Sequence, residues 1–401
     1  MQSSAGPLYR VAWPCLLFCL SVLLLSGAYA QQPDIHSVNI TRLLDEPLIG
    51  PGIHPSIGVN IQGPSMIRVP DWVENPLGSY YLYFADHKGL YIRLAYADNL
   101  TGPWQVHEPG SLRIEDSYFA ATRPEISDAD LAELVARRRA NGAQISHTLE
   151  LELTEPHIAS PDLHVDVENQ QIIMYYHGLE GPGQQHSRVA TSKDGINFIA
   201  REENLGRTYM RAFEHDGMTY VLAMPGQFYR SVDGFSNFET GPRLFVPSMR
   251  HSAVIVRDDY LYVFWTRVGD APETILLSTI DLRPDWSQWQ ESEEVEVLRP
   301  EFNWEGAGAP VEPSVRSTAY GQVNQLRDPA LYVEAGVVYL LYAIAGEAGI
   351  GLVNHVNDKK DGRQDNRRNH RGPVTPLVAM ADERIAGAET DHGGAVERRD
   401  D

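Results

Sequence analysis

The chain has 401 residues and a formal net charge of −21, with 33 Lys and Arg against 54 Asp and Glu. That acidity argues against nucleic acid as a partner and suits a neutral or cationic ligand. The two cysteines, Cys15 and Cys19, both fall in the first thirty residues, so the remainder has no disulfide, thiolate nucleophile or cysteine-ligated metal to offer.

Residues 1–30 read as a signal peptide. Arg10 is their only charge, Val11 to Leu25 is almost wholly apolar, and Ala28-Tyr29-Ala30 supplies a small-residue cleavage site. Its removal would take the balance to −22. The expectation is a secreted or periplasmic protein with no membrane contact after cleavage, the apolar run being short for a span.

From residue 31 to 353 one phrase recurs five times: a polar turn residue, a short apolar strand, an acidic or Gly-containing turn, then a strand rich in Tyr and Leu. The copies are GPSMIRVP…YYLYFAD, SPDLHVDVENQQIIMYYHG, TYMRAFEHDGMTYVLAMPG, RHSAVIVRDDYLYVFWTRVG and RDPALYVEAGVVYLLYAIAGE. Four are followed by a third strand and a turn ending on an aromatic: Trp104, Phe198, Phe238 and Trp286. Small antiparallel sheets repeated around an axis are the blades of a propeller, so the fold class is all-β, a five-bladed β-propeller, with the aromatics wedged between sheets.

Between the first two copies, Ser127 to Arg139 predicts a short helical insertion, with Ser127 as N-cap, acids in the first turn and arginines in the last. A second long connection, Pro284 to Gln325, carries Trp304 and Glu312 and has little strand character. Loops of that length are commonly functional, and Trp304 is the aromatic assigned to a ligand. The fifth copy lacks a closing tag, so its blade is either completed by the segment near Ile35 to Ile61 or left short. Residues 354–401 turn abruptly polar and charged and are expected to be disordered.

Aligning the copies on their second strands, at Ile173, Tyr220, Tyr262 and Tyr339, places Asp162, Tyr209, His251 and Asp328 at the starts of the inner strands, with Gly63 in the first copy. Innermost strands line a propeller's channel, so these residues should converge on one mouth as an acid/base set. The ends of the second strands return to that face with His87, His177, Arg267 and Glu347, while Arg211 and Arg327 flank the strand starts. The competing reading of Asp162 and Asp328 is a turn cap beside proline. The histidines lack the HxH or HxxxH spacing of a metal site, so no metal ligand is assigned.

SPDLHVD and RDPALY, each followed by a Tyr-rich strand, resemble the five-bladed propeller glycoside hydrolases, most nearly family 43 and its relatives, over roughly residues 60 to 353. That resemblance implies inverting hydrolysis by an Asp base on the first blade, an Asp on the second that tunes the acid, and a Glu acid on the third. Asp162 matches the second-blade Asp. Gly63 stands at the base position and Thr208 or Tyr209 at the acid position, so hydrolysis here calls on relocated groups. Arg327-Asp328-Pro329 is similar to the R-D-P element by which related fructan hydrolases grip sugar hydroxyls. Inversion needs its two groups about 6.5 to 9.5 Å apart, which nonadjacent blades can span.

The expected site therefore has Asp162, Asp328 and His251 as catalytic residues. Arg327, Glu347, His177, Tyr209, Arg211, Arg267, His87, Glu312 and Trp304 would bind substrate. The substrate would be a plant or algal oligo- or polysaccharide. No cofactor is demanded, a central Ca²⁺ is left open, and so is the oligomeric state. Two other functions fit the same fold: a noncatalytic carbohydrate-binding propeller, and a lyase or phosphorylase for acidic sugars using Arg211, Arg267 and Arg327.

Overall fold

The structure, a computed structural model, describes Pro33, residues 35–143 and residues 145–357. The signal peptide read at 1–30 and the tail from 358 onward lie outside the described residues. From residue 35 the chain forms five four-stranded antiparallel sheets. The first strand, β1 (Val38–Arg42), is set aside for the last sheet. Blade 1 is β2 (Gln62–Arg68), β3 (Tyr80–Ala85), β4 (Tyr91–Ala97) and β5 (Gln105–Arg113), and blade 2 is β6 (Ile158–Asp166), β7 (Gln171–Gly181), β8 (Gln184–Ser192) and β9 (Ile199–Ala200). Blade 3 follows as β10 (Arg211–His215), β11 (Met218–Ala223), β12 (Gln227–Ser231) and β13 (Glu239–Arg243). Blade 4 is β14 (Met249–Arg257), β15 (Tyr260–Arg267), β16 (Ile275–Asp281) and β17 (Val295–Leu298). Blade 5 has β18 (Arg327–Glu334), β19 (Val337–Ala343) and β20 (Ile350–Asn357). Its outer edge is filled by β1, with Val38 opposite Asn357 and Arg42 opposite Val353. Of the two fates open to the last blade, completion by the N-terminal segment is the one observed, and β20 runs through 354–357.

The apolar faces meet between blades rather than in one central mass. One cluster joins Tyr83 of blade 1 to Met174 and Phe198 of blade 2, and another joins Tyr175 of blade 2 to Val221 of blade 3. Phe213 and Leu261 unite blades 3 and 4, Leu277 and Tyr342 blades 4 and 5, and Trp104 packs with Ala330 and Leu341 to close blade 5 on blade 1. The tag aromatics are thus wedges, as their recurrence implies. Tyrosines add a polar stitch: Tyr83 Oη donates to Gly195 O at 2.6 Å and Tyr175 Oη to Gly234 O at 2.9 Å. Both acceptors lie in S-x-D-G turns, where the Asp194 and Asp233 carboxylates accept from backbone amides two and three residues on.

Helix α1 (Asp128–Ala140) forms where its capping pattern places it, the Ser127 hydroxyl accepting from the Asp130 amide at 3.1 Å. A second helix, α2 (Leu149–Thr154), follows Thr148 as N-cap. Val135, Leu149 and Leu153 give the two helices a small core of their own. No described helix is long and apolar enough to cross a membrane.

Candidate active site at the axial mouth

Each inner strand begins at the mouth of the channel, and in blades 1, 2, 4 and 5 its register shifts by a bulge at that point. Three bulges carry the same dipeptide form, Gly63-Pro64, Ser160-Pro161 and Asp328-Pro329. The first residue of each is left-handed, with φ of 61°, 53° and 48°, and Tyr209 in blade 3 has φ of 60°. Proline suits the second position because the bulge leaves no ladder bond for an amide to make.

Pairing fixes which residues share the slot. Tyr332 pairs with Tyr339, Ile255 with Tyr262, Phe213 with Tyr220, and His164 with Ile173. Counting back four residues from each first-named partner gives Asp328, His251, Tyr209 and Ser160. The equivalence of Asp162 with Asp328 therefore does not hold. The blade 2 hairpin turns through four residues, 167–170, where blades 3 to 5 use two, and that difference displaces Asp162 by two positions.

Asp162 corresponds instead to Ser65. The Ser65 hydroxyl accepts from the Leu163 amide of the next blade at 3.0 Å, and the Asp162 carboxylate accepts from the Ala212 amide of the next blade at 2.9 Å. His164 Nε2 lies 2.8 Å from the same carboxylate. Burial raises the Asp162 pKa, but His164, Arg211 and the amide together hold it below the ordinary carboxylate range. For His164 burial pulls down, and the Asp162 carboxylate lifts it above the ordinary imidazole value. Arg211, fully buried, donates to Ser252 O, Ser160 O and Pro161 O, tying three inner strands together. These two residues brace the channel wall.

At the mouth itself the side chains form a continuous row. His177 lies against Tyr209 with ring centroids 4.1 Å apart, Tyr209 against His251 at 4.2 Å, and His251 Nδ1 meets the Asp328 carboxylate. The second Asp328 oxygen accepts from the Gly63 amide at 3.3 Å. Above this row Arg327 donates to Glu347 at 2.9 Å, His87 Nδ1 stands 3.2 Å from the same oxygen, and Asn60 donates to the other at 2.7 Å. Burial alone would raise Glu347, yet His87 and Arg327 bring it down to about 2. Burial drives His251 and His177 well below the ordinary imidazole value, the Arg250 charge helping at the former and His157 at the latter. Burial also keeps the Tyr209 phenol protonated far above its usual range. At neutral pH the row holds neutral rings beside anchored carboxylates.

Sequence reasoning missed Arg250, Glu273, His157, Lys88 and Glu152. Arg250 precedes His251 as Arg327 precedes Asp328, a parallel visible in the repeats. Both arginines grip Glu273, at 2.9 and 3.3 Å. Among the binding residues expected from sequence, Arg267 faces outward to Asp270 and Glu294, Glu312 is exposed, and Trp304 stacks on Phe302 within the apolar packing between blades 4 and 5. None of these three joins the row. Among the described residues no group of three or more His, Cys, Asp or Glu is arranged to hold a metal.

Solved structures similar to this chain include a putative glycoside hydrolase from Parabacteroides distasonis, at TM-score 0.49 and 10% identity over 80% of this chain and 97% of that one. A family-43 enzyme from Xanthomonas citri complexed with xylose aligns at TM-score 0.46 and 11% identity, covering 82% and 93%. A compost-metagenome β-xylosidase/α-arabinofuranosidase in complex with xylotriose gives 0.47 and 11%, covering 80% and 96%. No family model matches the sequence. An uncharacterized protein of Acanthamoeba polyphaga mimivirus is 35% identical over 319 residues, 73% of this chain and 82% of that one. With that identity across most of both chains, this protein belongs to the same family as the mimivirus protein.

Proposed function

We propose that the protein is a glycoside hydrolase that cleaves a plant or algal oligo- or polysaccharide by proton transfer at the axial mouth. The observation that carries this is the buried row His177–Tyr209–His251–Asp328, in which His177 Nδ1 has no hydrogen-bond partner among the described residues. At the start of β2, Gln62 is fully buried with both ends of its amide likewise unpartnered. Leaving buried polar atoms unpaired costs about 1–3 kcal/mol each, a cost that ligand hydroxyls would remove.

In this reading Asp328 accepts from Nδ1 of His251 and fixes its tautomer. Nε2 is then the ring nitrogen that takes a proton from the attacking water. Tyr209, which keeps its proton at neutral pH and lies against His251, hydrogen-bonds a substrate hydroxyl, and the departing oxygen takes its proton from water. Arg327, Glu347 and His87 grip hydroxyls, and Asp162 braces the wall. Export directed by residues 1–30 belongs to the same proposal and is tested by sequencing the N-terminus of the mature protein.

The test of catalysis is a screen of the purified protein against xylan, arabinan, galactan and β-glucans with product analysis, followed by Asp328→Asn and His251→Gln. Loss of an acid/base partner should lower kcat by roughly 10²–10⁴-fold. Unchanged turnover in both variants refutes the assignment. A second reading, a noncatalytic carbohydrate-binding propeller, is favoured by Gly63 and Tyr209 standing where the resemblance calls for carboxylates; it predicts saturable glycan binding with no product.

A further inference from the structure

The axial groups are shut away from solvent: Asp328 and His177 are each 1% exposed, and His251 and Glu347 are each 2% exposed. Two insertions meet over the mouth, one ahead of and including α2, the other at residues 314–318 before blade 5. Ile145 and Arg316 form an isolated parallel bridge, and the Ser146 hydroxyl donates to Thr318 O. Glu152 accepts from Ser317 Oγ at 2.7 Å and lies 3.0 Å from both His147 Nε2 and Lys88 Nζ, the lysine belonging to blade 1. From the other side, Ser317 O accepts from Arg250 at 2.9 Å and Arg327 at 3.1 Å, while Val315 O accepts from Arg250 at 2.9 Å.

Two properties of this cover bear on its use. Its contacts to the mouth are polar, made to charged side chains and carbonyls that water can hydrogen-bond once the cover lifts, so opening loses about 1.5–3 kcal/mol per charged contact and not the larger cost of a buried unpaired charge. The apolar anchor of the α2 segment is the separate cluster of Val135, Leu149 and Leu153, not an interblade core. The α2 segment is tied to the sheets mainly at its C-terminal end, where the Gly183 amide of blade 2 donates to Leu153 O at 2.7 Å, so residues 145–150 can swing about that point with the blades in place.

We infer that the 145–152 and 314–318 segments form a gate that must part for a ligand to reach the axial row, and that the gate confines the ligand to a small saccharide or the end of a chain. The second half rests on reading the mouth as a carbohydrate site. A polymer cannot lie through a channel whose mouth is spanned from blade 1 to blade 5, whereas a terminal unit can enter when the two segments separate.

The test is a reversible lock. Ile145→Cys with Arg316→Cys, in a full chain also carrying Cys15→Ser and Cys19→Ser, joins the bridge pair on oxidation. The probe is diethyl pyrocarbonate, with modification of His177 and His251 read by mass spectrometry, and the reduced form is the folded control. Modification at least tenfold slower in the oxidised form supports the gate, and equal rates overturn it. Xylohexaose and arabinohexaose labelled at the reducing end supply the second arm. Single units released from the unlabelled end support confinement to chain ends, while internal cuts overturn it. A working lock in a protein that neither binds nor cleaves a glycan keeps the gate and overturns the carbohydrate half.

Discussion

Asp162 offers the sharpest separation between bracing and catalysis. Replacing it with Ala removes the acceptor of the Ala212 amide and the carboxylate that holds the proton on His164, leaving the ring, its side chain 25% exposed, without its hydrogen-bond partner. Breaking a buried pair in this way costs about 3–5 kcal/mol, to be discounted here to about 2–3 because both partners keep some contact with water. At roughly 2–4 °C per kcal/mol, Tm should fall by about 4–12 °C. Asp162→Asn keeps an acceptor for Ala212 and should cost about half as much. The pH signature is specific. Asp162 is depressed, so its contribution is present above the unfolded carboxylate value and disappears as pH falls through the folded one. His164 is raised, so its contribution is full below the unfolded imidazole value and is lost as pH rises through the folded one. Wild type minus Asp162→Asn stability should therefore peak in the weakly acidic range in a denaturant series run from pH 3 to 9. If Asp162→Asn abolishes turnover with Tm and its pH profile unchanged, the residue is catalytic and the bracing argument is wrong.

Other expectations follow from the same geometry. Gly63→Ala places a Cβ 3.1 Å from the Ser160 Cα at a φ of 61°, so stability measured in urea should drop by about 1–3 kcal/mol. Glu347→Gln leaves Arg327 and His87 facing a neutral amide. The wild type should outlast it above about pH 4, and the difference should close as pH falls toward 2, because the depressed carboxyl is then protonated. Tyr83→Phe, which frees the Gly195 carbonyl in a dry interface, should cost about 1–2 kcal/mol in the same assay.

The architecture was legible because its signals are local and repeated. Tyr-rich second strands, D-G turns and tag aromatics such as Phe198 each recur at fixed places in the phrase, and Ser127 announces α1 by capping alone. Four slots at the inner-strand starts were also readable: Tyr209, His251 and Asp328 are reached through second strands aligned correctly, and Gly63 through its Gly-Pro match to Asp328-Pro329. Asp162 was misplaced because counting across a hairpin assumes a constant turn, and residues 167–170 break that constancy. The X-Pro dipeptide at Ser160-Pro161 was the better guide. Contacts such as Ser146 to Thr318, or Glu152 to Lys88, left no trace in the sequence. They join residues far apart in the chain whose meeting is decided only once five blades close. Trp304 shows the reverse error: an aromatic in a long loop draws attention as a ligand platform, yet here it packs between two blades.

Closure of the last blade by β1 also dictates an order of assembly. Residues 38–42 leave the ribosome before any other strand and must wait for residues 353–357, some three hundred positions later, before finding a partner. Until then blades 1 to 4 can collapse pairwise on their shared apolar faces, but blade 5 has only the hairpin of β18 and β19, with an open edge. Native stability should thus arrive in one late step. A chain stopped short of β20 would hold most of its sheet structure and still lack the seam that makes it a closed body.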